Sequence, residues 1–100
     1  MQEGEETPLP PIILRNLNDK LYEKRKNGAL AVEELVKQMR VTNRWESLKK
    51  MIQYITDVLI YSSNPNSKKG GLIALAAIAI GLAKVLSFSF PKYNFAIKII

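Results

Sequence analysis

From Gly70 to Ala83 the chain runs for fourteen residues without a charge or a hydroxyl, and this stretch most constrains what the rest can fold into. Small residues recur at Gly70, Ala74, Ala77 and Gly81, at spacings of 4, 3 and 4. One face of a helix would therefore admit a neighbouring backbone at close range. Leu75, Ile78 and Leu82 form a second stripe, and Ile73 and Ile80 a third. A helix apolar on every side has to be buried on every side. The spacing predicts a helix over Ser67 to Lys84, with Ser67 as its cap.

Burial in lipid and burial in protein are separated first by length. A membrane span needs about 20 apolar residues, whereas runs of about 10 to 14 belong to buried core helices. Extending the stretch from Gly70 to Phe90 reaches bilayer length only by including Lys84. A lysine at a helix centre costs about 2.5 to 3.5 kcal/mol on insertion. Burial in protein is the preferred reading, and a small membrane-inserted protein with Gly70 to Phe90 in the bilayer is the alternative.

The rest of the chain must then supply the covering surface. With 100 residues and 47% hydrophobic content it makes one small domain or a piece of a larger one. The balance is basic, 15 Lys and Arg against 9 Asp and Glu, and no acidic residue follows Asp57. That composition favours anionic partners only weakly. Cysteine is absent, which fits a reducing compartment, and the acidic start from Gln2 to Glu6 is unlike a secretory signal. The expected location is cytoplasmic.

Residues 1–10 read as a flexible acidic and proline-rich tail. Pro11 suits a first helical position, with Ile13, Leu14 and Leu17 following at helical spacing until Asn18 and Asp19 interrupt. A second, amphipathic helix runs from Lys20 to about Met39, with Leu21, Val32, Leu35, Val36 and Met39 on one side. Gly28 lies on that apolar side, which implies either a weakened helix or a neighbour packed on bare backbone. Asn43 and Glu46 resemble a capping box. Trp45, Leu48, Ile52, Ile55 and Leu59 then recur at helical spacing until Ser62 to Asn66 break the pattern. Trp45 is expected in the core. From Val85 the sequence mixes aromatic, β-branched and lysine residues around Pro91 and is expected to be strand-like or irregular.

A shift of 43 residues lays RKNGALAVEELVKQM, from Arg25, over KKGGLIALAAIAIGL, from Lys68. Lys26 meets Lys69, Gly28 meets Gly71, and Ala31 meets Ala74, while Leu30, Val32 and Leu35 meet Ile73, Leu75 and Ile78. The period matches paired-helix repeats of the HEAT and armadillo type, which run to about 40 to 47 residues. In such a stack an inner helix is covered by its own partner and by the neighbouring repeats, so apolarity all round is expected. The predicted fold is all-α, with HEAT- or armadillo-like antiparallel helix pairs over about 11–40 and 43–84 as the start of an α-solenoid. A divergent, irregular C-terminal tail follows at 85–100.

LNDKLYEKRKNGAL, from Leu17 to Leu30, and NPNSKKGGLIALAAIAIGLAK, from Asn64 to Lys84, closely resemble the N-terminal HEAT repeats of the Vac-fourteen family, the vacuole-morphology scaffold of the PIKfyve lipid kinase complex. The resemblance covers about Pro10 to Lys84. It implies a non-enzymatic scaffold that self-assembles and acts peripherally on endosomal and vacuolar membranes. Its implied partners are the phosphatidylinositol 3-phosphate 5-kinase and a Sac-type phosphoinositide phosphatase, which together control phosphatidylinositol 3,5-bisphosphate. By the same resemblance the region of kinase contact begins at Ser67, Lys68, Lys69, Gly70, Gly71 and Leu72. Family members are long solenoids, so a chain that departs from the pattern after Lys84 is expected to be a truncated form.

Other chemistries find little support in the residues. Without histidine or cysteine the usual base, nucleophile and zinc arrangements cannot be assembled, and Asp19, Glu23, Glu33 and Glu34 fall on charged helix faces. No catalytic residue, cofactor or metal is expected. SKKGG precedes a helix but lacks the GxxxxGK[ST] pattern and a preceding strand, so weak contact of Lys68 and Lys69 with anionic lipid headgroups is preferred over a nucleotide site. Lys20, Lys24, Arg25 and Lys26 are interrupted by Glu23 and have no interleaved aromatic platform, so nucleic acid is not an expected partner.

Overall fold

The computed structural model describes residues 7–89, with side chains as far as Ala83. Four helices follow one another: α1 (Pro11–Leu17), α2 (Tyr22–Val41), α3 (Trp45–Tyr54), which continues into a π-helical segment (Ile55–Ile60), and α4 (Pro65–Ser89). No strand occurs among the described residues. The all-α expectation holds, and the arrangement is consistent with a HEAT-like start.

Local chemistry sets most boundaries. Pro11 occupies the first position of α1, and the Pro10 carbonyl accepts the amides of Ile13 and Leu14 at 3.1 Å. Asn18 ends α1, and Asp19 Oδ1 then accepts the Leu21 amide at 2.9 Å, tightening the turn into α2. Leu21 is thus the extended residue before α2, 55% exposed, and not part of the buried stripe.

The turn from α2 to α3 differs from the capping box expected at Asn43 and Glu46. Arg44 precedes α3, and no side chain caps it. Asn43 instead has φ 58° and closes α2: its amide reaches the Arg40 carbonyl at 3.2 Å, and the Arg44 amide reaches Met39 at 2.8 Å. That pair of bonds is a Schellman motif, in which a left-handed residue satisfies the last helical carbonyls. Trp45, expected in the core, is 45% exposed, with the Arg40 guanidinium 4.7 Å above its ring. Its position in the first turn of α3 places it at the edge of the stripe that Leu48, Met51, Ile55 and Leu59 bury.

At the start of the π-helical segment the Thr56 hydroxyl donates to the Ile52 carbonyl at 2.9 Å, a back-bond of the kind that bends helices. The wider turn closes where the Tyr61 amide reaches Thr56 at 3.2 Å.

α4 starts two residues before the expected Ser67. Asn64 Oδ1 accepts the Asn66 amide at 2.8 Å and its carbonyl accepts that of Lys68 at 3.1 Å, with Pro65 as the first helical residue. The helix also runs on to Ser89, so residues 85–89 are helical where irregular structure was expected. The remainder of that expectation, residues 90–100, lies outside the described residues.

The repeat is visible in the packing. The 43-residue shift carries Leu17, the last residue of α1, onto Ile60, the last of the π segment, and Tyr22, the first of α2, onto Pro65, the first of α4. It also carries contacts onto contacts. A Cβ on Gly28 would meet the side chains of Leu17 and Asn16 at 3.0–3.2 Å, and a Cβ on the equivalent Gly71 would meet those of Ile60 and Leu59 at 2.9 Å. In each pair, then, a glycine admits the end of the preceding helix. The neighbour that Gly28 implied is Leu17.

The two hairpins are stacked so that α2 and α4 run side by side in the same direction. The N-terminal part of α4 at Ile73 adjoins Lys26 and Leu30, and Gly81 farther along adjoins Glu33 and Val36. Gly70, Ala74, Ala77 and Gly81 are all buried, as the small-residue face requires. The shared core gathers Ile13 and Leu17, Val32 and Val36, Met51 and Ile55, and Ala74 and Ile78. Leu9, in the segment leading to α1, is fully buried with them. Among the described residues no helix is long and apolar enough to cross a membrane.

Candidate interaction surface

The six residues from Ser67 to Leu72 open α4, and helical geometry divides them between two faces. Ser67, Gly70 and Gly71 turn inward. The Ser67 hydroxyl donates to Asn18 Oδ1 at 2.6 Å, which ties α4 to the turn after α1. A side chain at Gly70 would collide with the Leu17 carbonyl oxygen, so the start of α4 lies against the backbone end of α1. Lys68, Lys69 and Leu72 turn outward, and Leu72 is 62% exposed.

What surrounds these three comes from α2. Tyr22, Arg25, Lys69, Leu72 and Ile73 line a shallow, mainly apolar depression. It continues along the α2–α4 seam past Lys26, Leu30, Ala76 and Ile80. The helix expected to be covered on all sides therefore has an open arc, in which Leu72, Ala76 and Ala79 are exposed and Ile73 and Ile80 are half-buried.

Arg25 underpins the depression. It is buried, its Nη1 donates to the carbonyls of Asp19 and Lys20 at 2.9 Å each, and its guanidinium lies 6.0 Å from the centre of the Tyr22 ring. Its donors thus satisfy the turn between α1 and α2, and it does not belong to a solvated basic face. Spacing along α2 gave no sign of this, because the two acceptors are backbone atoms of a turn. The clue in the sequence was the placement of one arginine shortly after Asn18 and Asp19.

Glu33 and Glu34 both approach Lys37, at 4.0 and 3.5 Å, and Glu23 is exposed near the start of α2. No group of three metal-ligating side chains occurs among the described residues. The surface offers amphipathic contact: lysines, one tyrosine and exposed aliphatic side chains on two rigid helices.

Comparison with known proteins gives a consistent set of relatives. The chain is 43% identical over 75 residues to the Protein VAC14 homolog of Arabidopsis thaliana, covering 75% of this chain and 10% of that protein. It is 38% identical over 73 residues to the Protein VAC14 homolog of Schizosaccharomyces pombe, covering 71% and 9%. With the Vacuole morphology and inheritance protein 14 of Saccharomyces cerevisiae it shares 41% identity over 71 residues, covering 70% and 8%. The chain thus spans about a tenth of the length of these curated relatives. No family model matches. No solved structure matches either.

Proposed function

Because this chain is a segment of the Vac14 family over 75% of its length, we propose that it acts as a non-enzymatic scaffold in the control of phosphatidylinositol 3,5-bisphosphate. The observation that carries the reading is the agreement between sequence repeat and packing. The same 43-residue shift that aligns Gly28 with Gly71 aligns the helix ends that press on them, which is the construction of a stacking module. Stacked helix pairs present extended surfaces for partners.

In this reading the chain is peripheral on endosomal and vacuolar membranes. Its contact with the phosphatidylinositol 3-phosphate 5-kinase starts at Ser67 to Leu72. Of those residues Lys68, Lys69 and Leu72 supply the touching side chains, while Ser67, Gly70 and Gly71 hold α4 in place. Engagement of a Sac-type phosphatase and self-assembly are assigned to longer family members. Insertion of α4 into a bilayer is disfavoured, because its small-residue face is already packed against α1 and α2.

The test is capture of the purified kinase, in detergent and without lipid, by a full-length family member carrying these residues. Lys68→Glu with Leu72→Glu is expected to weaken capture at least tenfold, on the scale of about 1.4 kcal/mol per tenfold. Unchanged capture by a variant with an unchanged circular dichroism spectrum would remove Ser67 to Leu72 from the kinase interface.

A further inference from the structure

At one end of the molecule the turn between α1 and α2 and the first turns of α4 come together, held by the Ser67–Asn18 hydrogen bond and by Gly70 against Leu17. The same junction sets Tyr22, 56% exposed, beside Leu72, 62% exposed. Lysines surround the pair. Lys69 lines the depression with them, Lys68 precedes Leu72 by one helical turn, and Lys26 adjoins Ile73 on the other side. No acidic side chain lines the depression itself. Of the acids close in sequence, Asp19 is engaged by the Leu21 amide, Glu23 is exposed next to Tyr22 in the chain but does not line the depression, and Glu33 lies farther along the seam with Lys37 at 4.0 Å.

We propose that this end of the α2–α4 layer is a docking surface for an anionic phospholipid bilayer, with Tyr22 and Leu72 entering the interface and Lys26, Lys68 and Lys69 facing the headgroups. Charge complementarity carries the choice of occupant, since the chain bears a net +6 and the surface has a lysine rim. The form of the surface selects a bilayer over an acidic peptide. The depression is shallow, its exposed side chains project singly, and tyrosine, with an apolar ring and a polar tip, suits the boundary between headgroup and acyl chain. Lysines on flexible stems suit a diffuse negative surface, where a specific carboxylate would call for the fixed fork of arginine. The one arginine present is committed to backbone carbonyls. The inference rests on the peripheral-membrane part of the proposed function and names its surface. Lys68, Lys69 and Leu72 cannot face kinase and bilayer at once, and capture without lipid and flotation without kinase separate the two roles.

Flotation of the 100-residue chain with phosphatidylcholine vesicles, with and without phosphatidylserine, tests it and separates bound protein from aggregates that would sediment alone. The chain is expected to float with the anionic vesicles and not with the neutral ones. A lysine near an anionic surface contributes about fivefold in partition, so Lys68→Ala with Lys69→Ala should lower binding about 25-fold. Leu72→Ser should lower it about tenfold, with an unchanged circular dichroism spectrum because Leu72 is already exposed. Lys49→Ala with Lys50→Ala, exposed on α3, should leave it unchanged. Equal losses from the α3 pair would reduce the effect to net charge and overturn the assignment. No flotation at all would also overturn it. So would displacement by soluble polyglutamate together with indifference to Leu72→Ser, which would assign the surface to an acidic protein segment.

Discussion

α2 and α4 hold equivalent places in successive helix pairs and run side by side, yet one is charged along a face and the other carries no charge from Gly70 to Ala83. The difference follows from what each must touch. α2 packs against α1, α4 and, more lightly, α3, and it leaves one face to water, where Glu34 and Lys37 form an ion pair at 3.5 Å. α4 meets α1, α2 and the π segment on three sides, and glycine or alanine stands at each close approach. Each helix has three neighbours, so the apolar character of α4 goes with how closely they approach it, and the arc at Leu72, Ala76 and Ala79 marks the side that they leave open.

The glycines give the largest test of that contrast. Gly70 faces the backbone of α1, which cannot yield as a side chain can, so Gly70→Ala is expected to cost about 3 kcal/mol. Gly71→Ala meets Leu59 Cβ and Ile60 Cδ1 at 2.9 Å and the Ile60 amide nitrogen at 3.1 Å, and should cost about 1 to 2 kcal/mol after the gain in helix propensity. Gly28→Ala meets side-chain atoms only, and the same propensity gain of about 1 kcal/mol should leave it nearly neutral. Urea unfolding followed by circular dichroism reads all three. Equal losses at Gly28 and Gly70 would contradict the view that α4 has the tighter fit.

Arg25 and Lys68 occupy equivalent positions under the 43-residue shift and have opposite environments. Arg25→Ala leaves two turn carbonyls without a charged donor and is expected to cost about 1.5 to 3 kcal/mol. Lys68→Ala, on an exposed site, should stay within about 0.5 kcal/mol of the parent. Arg25→Lys should recover only part of the loss, because one ammonium cannot copy the arginine fork. Comparable costs at positions 25 and 68 in thermal unfolding would mean that the turn carbonyls find other donors.

These pairs also show which parts of the molecule were legible in the sequence. The helices, the small-residue face and the repeat follow from periodicity, because burial on a regular element imposes a regular pattern. The proposal of kinase contact at Ser67 to Leu72 rests on family resemblance alone, whereas which of these residues turn inward and which outward is visible only once the partner helices are in place. Leu21 and Trp45 sat at helix starts, where a stripe continued on paper no longer faces the core. Ser67 looked like a cap because caps are recognised locally, but its acceptor Asn18 is forty-nine positions away in sequence. The helix beyond Val85 was missed for a related reason: β-branched and aromatic residues carry weak local preferences that a long helix overrides.

Ser67 offers the next test, since it joins the two pairs where Gly70 only permits their approach. Ser67→Ala removes the 2.6 Å bond to Asn18 and should cost about 1 kcal/mol, with Asn18→Ala costing a similar amount and the double variant little more than either. Additive losses in a double-mutant cycle would show that the hydroxyl and the amide act separately.

The one expected gain in stability, a small one, lies at Asn43, where the first pair hands over to the second. The 43-residue shift carries Asn43 onto Leu86, inside α4, so α2 stops at a point that α4 passes. What stops α2 is one residue at φ 58°, which lets the amides of Asn43 and Arg44 turn back onto Arg40 and Met39. Asparagine tolerates that conformation and glycine adopts it without penalty, so Asn43→Gly should stabilise the chain by up to about 0.5 kcal/mol. Asn43→Val, with a branched Cβ, should destabilise it by about 1 to 2 kcal/mol. Both substitutions are exposed and touch no core residue, so any change reports on the turn alone. Opposite shifts of the unfolding midpoint for Gly and Val would confirm that the left-handed residue ends α2. If Val were harmless, α2 would be free to continue in line with α3, and the antiparallel turn would have to be imposed by packing of the two pairs.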